Sequence, residues 1–467
     1  MTIPSWVYSA IFYQIFPDRF ANGDLSNDPP NVQPWEDKPT LWGYQGGDLR
    51  GVIEHFDYFL ELGVNALYFN PIFLATSNHR YNISDYYRID PLLGTDQDLD
   101  ELIHLVHDHD MHIILDGVFN HCGRGFFAFN DLVENGNHSP YKDWFHVRRF
   151  PIRAYGEGRA EDYEAWWGFR SLPKFNTDNP HVRQYILDVA RYWINRGVDG
   201  WRLDVPNEID DDGFWAQFRR AVKDANPDAY LVGEIWEVDP RWVGDNHFDG
   251  LMNYPLRDAL IAFLVRREMK AGVFLQRMAT LCDAYPAPHS FGHMLCLGSH
   301  DTRRLRTICN DDPNLVRMFF LIQFCFPGAP HIYYGDEIGL RGEKDPDCRR
   351  AFPWDKKEWQ AEQRDFVRKL IALRRAHPEL QRGAFLPILA RDAQEVLAFA
   401  RVLEDQAALI VLNCAAESQT IDIQVQGLGW KDGWQIQDAL YRKEWVVAGG
   451  HLSMRLPPRS GVILLQR

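Results

Sequence analysis

No run of about 18 uninterrupted apolar residues occurs in the 467-residue sequence, so nothing in it predicts a membrane-spanning helix. The opening stretch, Met1 to Phe16, is apolar but has no basic residue and no small-residue cleavage site, which argues against a signal peptide. Cysteine is scarce. Seven are scattered along the chain without the short paired spacings of a zinc site. Reduced thiols in a cytoplasm are the expected state. Positive charge is also short, with 50 Lys and Arg against 65 Asp and Glu and a formal net charge of −15. Phosphate binding needs a positive field, so a nucleic-acid partner is excluded and a neutral ligand fits better.

Aromatic side chains are plentiful: 16 Trp, 19 Tyr and 29 Phe. Most are expected in the core, and those left at the surface suit the apolar faces of sugar rings. A chain of 467 residues exceeds one ordinary core and predicts two or three domains.

Short apolar runs alternate with amphipathic stretches, the pattern of βα units around a parallel sheet. Eight runs are expected as strands: Ile11–Phe16, Ala66–Phe69, His112–Asp116, Gly200–Leu203, Tyr230–Gly233, Asp249–Met252, Met294–Leu297 and His331–Tyr334. Helical patterns lie between them, including Leu49–Leu62 and Val182–Arg196, where Ile186, Val189, Ala190 and Trp193 recur at three- and four-residue steps. Eight units favour a closed (β/α)₈ TIM barrel, an α/β fold, over an open sheet. After the third run comes a stretch far longer than a βα loop needs. It predicts a subdomain inserted at 121–178, dividing the barrel into 1–120 and 179–380. Beyond it, period-two patterns such as Ala407–Leu412, Thr420–Val425 and Gly461–Leu465 predict a C-terminal antiparallel β-sandwich over 381–467.

In such a barrel the active site lies at the C-terminal ends of the strands. Those ends are polar here: Asp116 to His121 after the third, Arg202 and Asp204 on the fourth, Glu234 after the fifth, His300 and Asp301 after the seventh. Arg202 and Asp204 are two apart and share a face, so the guanidinium is expected to hold Asp204 ionised with a lowered pKa. Glu234 follows Tyr-Leu-Val-Gly and precedes Ile235 and Trp236, a drier setting that predicts a raised pKa. One ionised and one protonated carboxyl are the pair that glycoside hydrolysis requires.

The blocks DGVFNH, GWRLD, GEIW and GSHDT, in this order, resemble the signature blocks of the α-amylase family of glycoside hydrolases. LPKFN at 172–176 is similar to a segment of its cyclomaltodextrinase, neopullulanase and maltogenic amylase group. The resemblance implies Asp204 as nucleophile, Glu234 as acid/base and Asp301 as stabiliser of the transition state. It implies that Arg202, His121 and His300 hold the sugar at the cleavage point and that Tyr81 stacks beneath it. Trp236 matches a ring on the leaving-group side, and Asp345 with Arg349 a pair contacting the next sugar outward. Glu208, in VPNE, resembles a glutamate associated with acceptor sugars and transglycosylation, although Pro206 departs from the usual Ala.

Asn22, Asp24, Asn27 and Asp28, with Gly46 and Asp48, offer oxygens for a cation and equally read as turn residues. The resemblance implies a structural calcium there, and no cofactor for catalysis. The group usually carries a further N-terminal β-domain that builds its dimer. Here the first strand begins near residue 11, so a monomer, or a dimer not built on that domain, is expected. The expected substrates are cyclomaltodextrins, maltooligosaccharides and, more weakly, pullulan or starch. The rival enzymes are an α-glucosidase and a 4-α-glucanotransferase. A non-catalytic sugar-binding module predicts the loss of at least one of the three acids, and all three are present.

Overall fold

The structure is a computed structural model and describes residues 3–285 and 287–466. Eight strands run parallel: β1 (Phe12–Ile15), β2 (Ala66–Phe69), β3 (His112–Gly117), β4 (Gly200–Leu203), β5 (Tyr230–Gly233), β6 (Gly250–Leu251), β7 (Met294–Cys296) and β8 (Ala329–Tyr333). They pair in the order β6-β5-β4-β3-β2-β1-β8-β7. A parallel bridge between Met252 and Met294 joins the two ends, so the sheet closes into a (β/α)₈ barrel.

The two-residue period of a strand explains how this barrel makes both a core and a site. At the N-terminal end, Phe12, Ala66, Ile114, Tyr230, Met294 and Ala329 form one apolar cluster inside the barrel, stoppered by Ile3 and Val7. Their neighbours Tyr13, Leu67, Ile113, Leu115, Trp201 and Leu231 join the larger cluster beneath the surrounding helices. Two residues further along, Phe12 gives way to Gln14 and Ile114 to Asp116, both buried. The inward positions therefore turn from apolar to polar toward one rim.

Several of the surrounding helices start where short polar side chains satisfy free N–H groups. Thr95 and Asp98 form a capping box on Asp96–Asp108. Asn179 caps Pro180–Asn195, whose Ile186, Val189, Ala190 and Trp193 are buried as their spacing predicts. The stretch expected as one helix over 49–62 is two, Leu49–Glu54 and Phe56–Leu62. His55 breaks it with a non-helical backbone, and its ring stacks on Trp354 at 3.6 Å. The sixth strand is shorter than its apolar run, only Gly250–Leu251 pairing on the β5 side.

Residues 121–178, between β3 and the helix Pro180–Asn195, hold the helix Phe127–Asn135 and several isolated bridges. After the barrel come β9 (Ala384–Arg391), β10 (Val396–Leu403), β11 (Gln406–Asn413), β12 (Gln419–Gln424), β13 (Gln435–Asp438), β14 (Glu444–Val446), β15 (His451–Leu456) and β16 (Ser460–Gln466). Six form an antiparallel sheet in the order β9-β10-β11-β16-β13-β14, while β12 pairs with β15. Leu397, Phe399, Ile410, Leu412 and Ile463 join the main core. Their neighbours Val396, Ala398, Leu409, Val411 and Leu464 join a second cluster with Ile421, Leu452 and Met454 of the two-stranded sheet. Both faces of the larger sheet's central strands β10, β11 and β16 are thereby buried.

Candidate active site

Arg202 projects from β4 into the polar end of the barrel and is fully buried. Its Nη1 donates to Asp116 at 2.7 Å and to Asp204 at 2.9 Å, while Nη2 lies 2.8 Å from Glu234 Oε1. One guanidinium therefore serves three carboxyl groups from β3 and the ends of β4 and β5. The backbone N–H of Val205 donates to Glu234 Oε2 at 3.1 Å.

Burial pushes the Asp204 carboxyl well above the ordinary carboxylate range, and Arg202 opposes it. This corrects the expectation of a lowered value. Arg202 acts in the expected direction, but its charge is shared among three acids, and Glu234 and Asp116 add repulsion. The Glu234 carboxyl is pushed up to about 7, again by burial against the pull of Arg202. Taken together, these groups favour a retained proton near neutrality, as a general acid requires.

A hydrogen-bond chain continues around the rim. Gln14 and Asn70 direct amide nitrogens at Nδ1 of His300, at 3.0 and 3.1 Å, so Nδ1 is the acceptor and Nε2 carries the hydrogen. That Nε2 lies 2.7 Å from the Tyr81 hydroxyl and 3.1 Å from Asp301. Burial pushes His300 down to about 3, so the ring is neutral in ordinary buffers. The Tyr81 hydroxyl donates to Asp116 at 2.7 Å, beside Tyr68, which donates to the same oxygen at 2.8 Å. Burial raises Asp301 too, but His300 and Arg349 outweigh it and hold the carboxyl below its usual range. Arg349 lies 3.3 Å from Asp301 and 3.1 Å from Asp345, which strings these three together.

His121 is buried, and its Nε2 has no protein partner among the described residues. Trp236 is partly exposed and lies flat on Tyr254 at 3.7 Å with 5° between the planes. Glu208 stands apart from the acids, with its carboxylate 3.8 Å from Lys174 and its carbonyl accepting from the same lysine at 2.8 Å. The structure thus brings Asp204, Glu234, Asp301, Arg202, His300 and Tyr81 into one network, with Asp345 and Arg349 joined to it. Gln14, Tyr68, Asn70 and Lys174 were given no role from the sequence. Gln14 lies two residues on from the inward Phe12, and that step was the signal for it.

At the calcium-like loop, Asn22 donates to Asp28 at 2.9 Å. Asp48 accepts from the backbone of Gly23, Asp24 and Gly51 and from the Asn27 amide, at 2.6–3.1 Å. Oδ1 of Asn22 and of Asn27 is buried without a donor. Gly46 has φ +83°, and a Cβ there would stand 2.2 Å from Asp28 Oδ1. Asp24 is turned to its own loop, accepting from Ser26. The oxygen atoms of Asn22, Asn27 and Asp28 fit a hard cation, whereas both Asp48 oxygens are already taken up by N–H groups.

A (β/α)₈ barrel carrying three acids at the ends of its fourth, fifth and seventh strands defines a glycoside hydrolase. The chain belongs to the α-amylase family, whose catalytic-domain model matches residues 14–382. Among its relatives, the cyclomaltodextrinase of Geobacillus thermopakistaniensis (strain MAS1) is 41% identical over 98% of this chain and 77% of its own. Neopullulanase 2 of Thermoactinomyces vulgaris is 42% identical over 99% of this chain and 78% of its own. The solved cyclic α-maltosyl-(1→6)-maltose hydrolase of Arthrobacter globiformis has a TM-score of 0.91 at 38% identity, covering 100% of each chain.

Proposed function

We propose that the protein hydrolyses α-1,4-glucosidic bonds, and some α-1,6 bonds, in cyclomaltodextrins and maltooligosaccharides with retention at the anomeric carbon. The observation that carries this reading is the sharing of Arg202 by Asp204 and Glu234. In the state that places the cluster's proton on Glu234, Asp204 as a carboxylate attacks the anomeric carbon, and the bond to the leaving oxygen breaks as Glu234 delivers its proton to that oxygen. Glu234, now a carboxylate, takes a proton from water. The hydroxide displaces Asp204 and restores both carboxyls, with one water consumed. A sugar hydroxyl in place of that water gives transglycosylation, and Glu208 is the residue proposed to receive it.

Asp301, with His300 and Arg349 behind it, holds hydroxyls of the distorted ring. His121 Nε2 holds the same sugar, Arg202 acts on it through the acids it orients, Tyr81 lies beneath it, Trp236 takes the leaving group, and Asp345 with Arg349 the next sugar outward. The α-1,6 activity is supported by the bond named for the Arthrobacter globiformis enzyme. Pullulan and starch are slower substrates in this reading.

A calcium ion held through Asn22, Asn27, Asp28 and the Gly46 carbonyl, beside Asp24 and Asp48, is proposed as structural. When bound it neutralises the loop's negative charge, and no chemical step passes through it. The work is proposed to be cytoplasmic, in keeping with seven free cysteines and no described helix long and apolar enough to cross a membrane. The assembly is proposed as a monomer or a dimer, which light scattering distinguishes.

Chromatography of products from α- and β-cyclodextrin, maltotriose, pullulan and starch tests the substrate. Glucose and maltose are expected, and their absence from cyclodextrin and maltotriose would overturn the assignment. Proton NMR of the first product is expected to show the α-anomer, and the β-anomer would refute retention.

A further inference from the structure

Two indoles stack outward from His121, and the proposed mechanism uses neither. Trp166 lies 5.4 Å from the His121 ring at 21°, and Trp167 lies 4.7 Å from Trp166 at 8°. A run of three stacked rings thus leads from a buried histidine of the site to an indole that is 69% exposed. The exposed end is not slack chain. Gly168 N donates to Ala165 O, Phe169 N to Trp166 O, and Leu172 N to Phe169 O, while Trp166 N returns to Leu172 O, all at 2.9–3.0 Å. At the tip of this bonded turn Trp167 has φ 50° and ψ 16°, the left-handed region that bulky side chains avoid. A strained backbone that holds an indole in water opposes stability twice over, and such features concentrate where a ligand is bound. Trp166 adds a second sign, since its Nε1 is buried without a protein partner. The turn runs into Lys174, which donates to the Glu208 carbonyl at 2.8 Å.

We propose that Trp167 is a stacking platform for a glucosyl unit of the longer α-glucan substrates, on the Glu208 side of the cleavage point. This rests on the hydrolase reading above. An indole offers the widest aromatic face of any side chain, and contact with the C–H face of a sugar needs no directed hydrogen bond. Occupancy of the platform depends on chain length, so Trp167 acts on specificity and not on chemistry.

Trp167→Asn removes the ring while keeping a residue that tolerates the left-handed backbone. Trp167→Phe keeps a smaller ring. Both are compared with the wild type on maltoheptaose and on p-nitrophenyl α-maltoside, a short substrate. In Trp167→Asn, KM for maltoheptaose is expected to rise about tenfold, the loss of roughly one stacking contact. Its kcat and KM for the short substrate are expected to stay put, its thermal midpoint to hold or rise as the strain is relieved, and Phe to recover most of the affinity. An unchanged KM for maltoheptaose, or equal rises for both substrates, would overturn the proposal. A wild type that cleaves neither substrate would overturn the hydrolase reading beneath it.

Discussion

The backbone N–H of Val205 donates to Oε2 of Glu234 at 3.1 Å, tying the residue after the proposed nucleophile to the proposed acid. Val205 holds this position with φ 37° and ψ 51°, a left-handed conformation that a β-branched residue rarely adopts. The following Pro206 bars the ordinary helical alternative. Such strain costs on the order of 1–3 kcal/mol and persists where the site needs it.

Val205→Gly keeps the N–H but releases the strain and the direction it imposes. The thermal midpoint is expected to hold or rise while kcat falls about tenfold, the usual exchange between stability and activity. Full activity in this variant would show that the strained turn does not position Glu234.

Asp204→Asn removes a carboxyl whose ionised form burial disfavours. Stability at neutral pH is therefore expected to be unchanged or greater. Turnover is expected to fall by several orders of magnitude, because the covalent intermediate is lost. Steady-state assay with a thermal melt checks both, and near-normal turnover would refute the nucleophile assignment.

Glu337 is fully buried, accepts hydroxyls from Tyr13 and Tyr58, and is pushed by burial from 4.5 to about 7. A carboxyl with a raised folded-state value binds its proton more tightly in the native state. Its contribution is full below the unfolded value and lost as pH rises through the folded one. A shift of this size corresponds to about 3 kcal/mol between pH 4.5 and 7. Glu337→Gln is expected to flatten the fall of the thermal midpoint over that window, and an unaltered slope would contradict it.

Calcium is expected to raise the thermal midpoint, and a chelator to lower it, without altering kcat at moderate temperature. Gly46→Ala would drive its Cβ toward Asp28 and Asn22 and is expected to abolish the calcium response. If melts of the unsubstituted protein ignore both calcium and chelator, the loop is only a turn.

Much of this was legible in the sequence because strands and helices repeat with different periods. The eight apolar runs fell on the barrel strands, and three of the acids at their ends, Asp116, Asp204 and Glu234, met around Arg202. The Asp204 pKa was not legible. Sequence showed Arg202 two residues away but not that Asp116 and Glu234 draw on the same charge. Gln14 and Asn70 escaped notice for another reason. A lone amide within an apolar run, as Gln14 is, or just after one, as Asn70 is, carries only its strand register as a signal, and only the closed barrel brings both to His300. His55 likewise breaks a helix against Trp354, a contact far along the chain.

Synthesis on the ribosome proceeds in chain order, and the folded arrangement does not. Strand β16 sits between β11 and β13, inside the sheet, with Ile463 in the main core. Strand β1 pairs with β8 across most of the barrel's length of chain. The nascent protein therefore carries open apolar faces until strand β16 has emerged and can pair with β11 and β13. Contact with other unfinished chains is the hazard of that interval. Strand β16 covers those faces, so substitutions that break its pairing with β11 and β13 are expected to lower recovery of soluble protein.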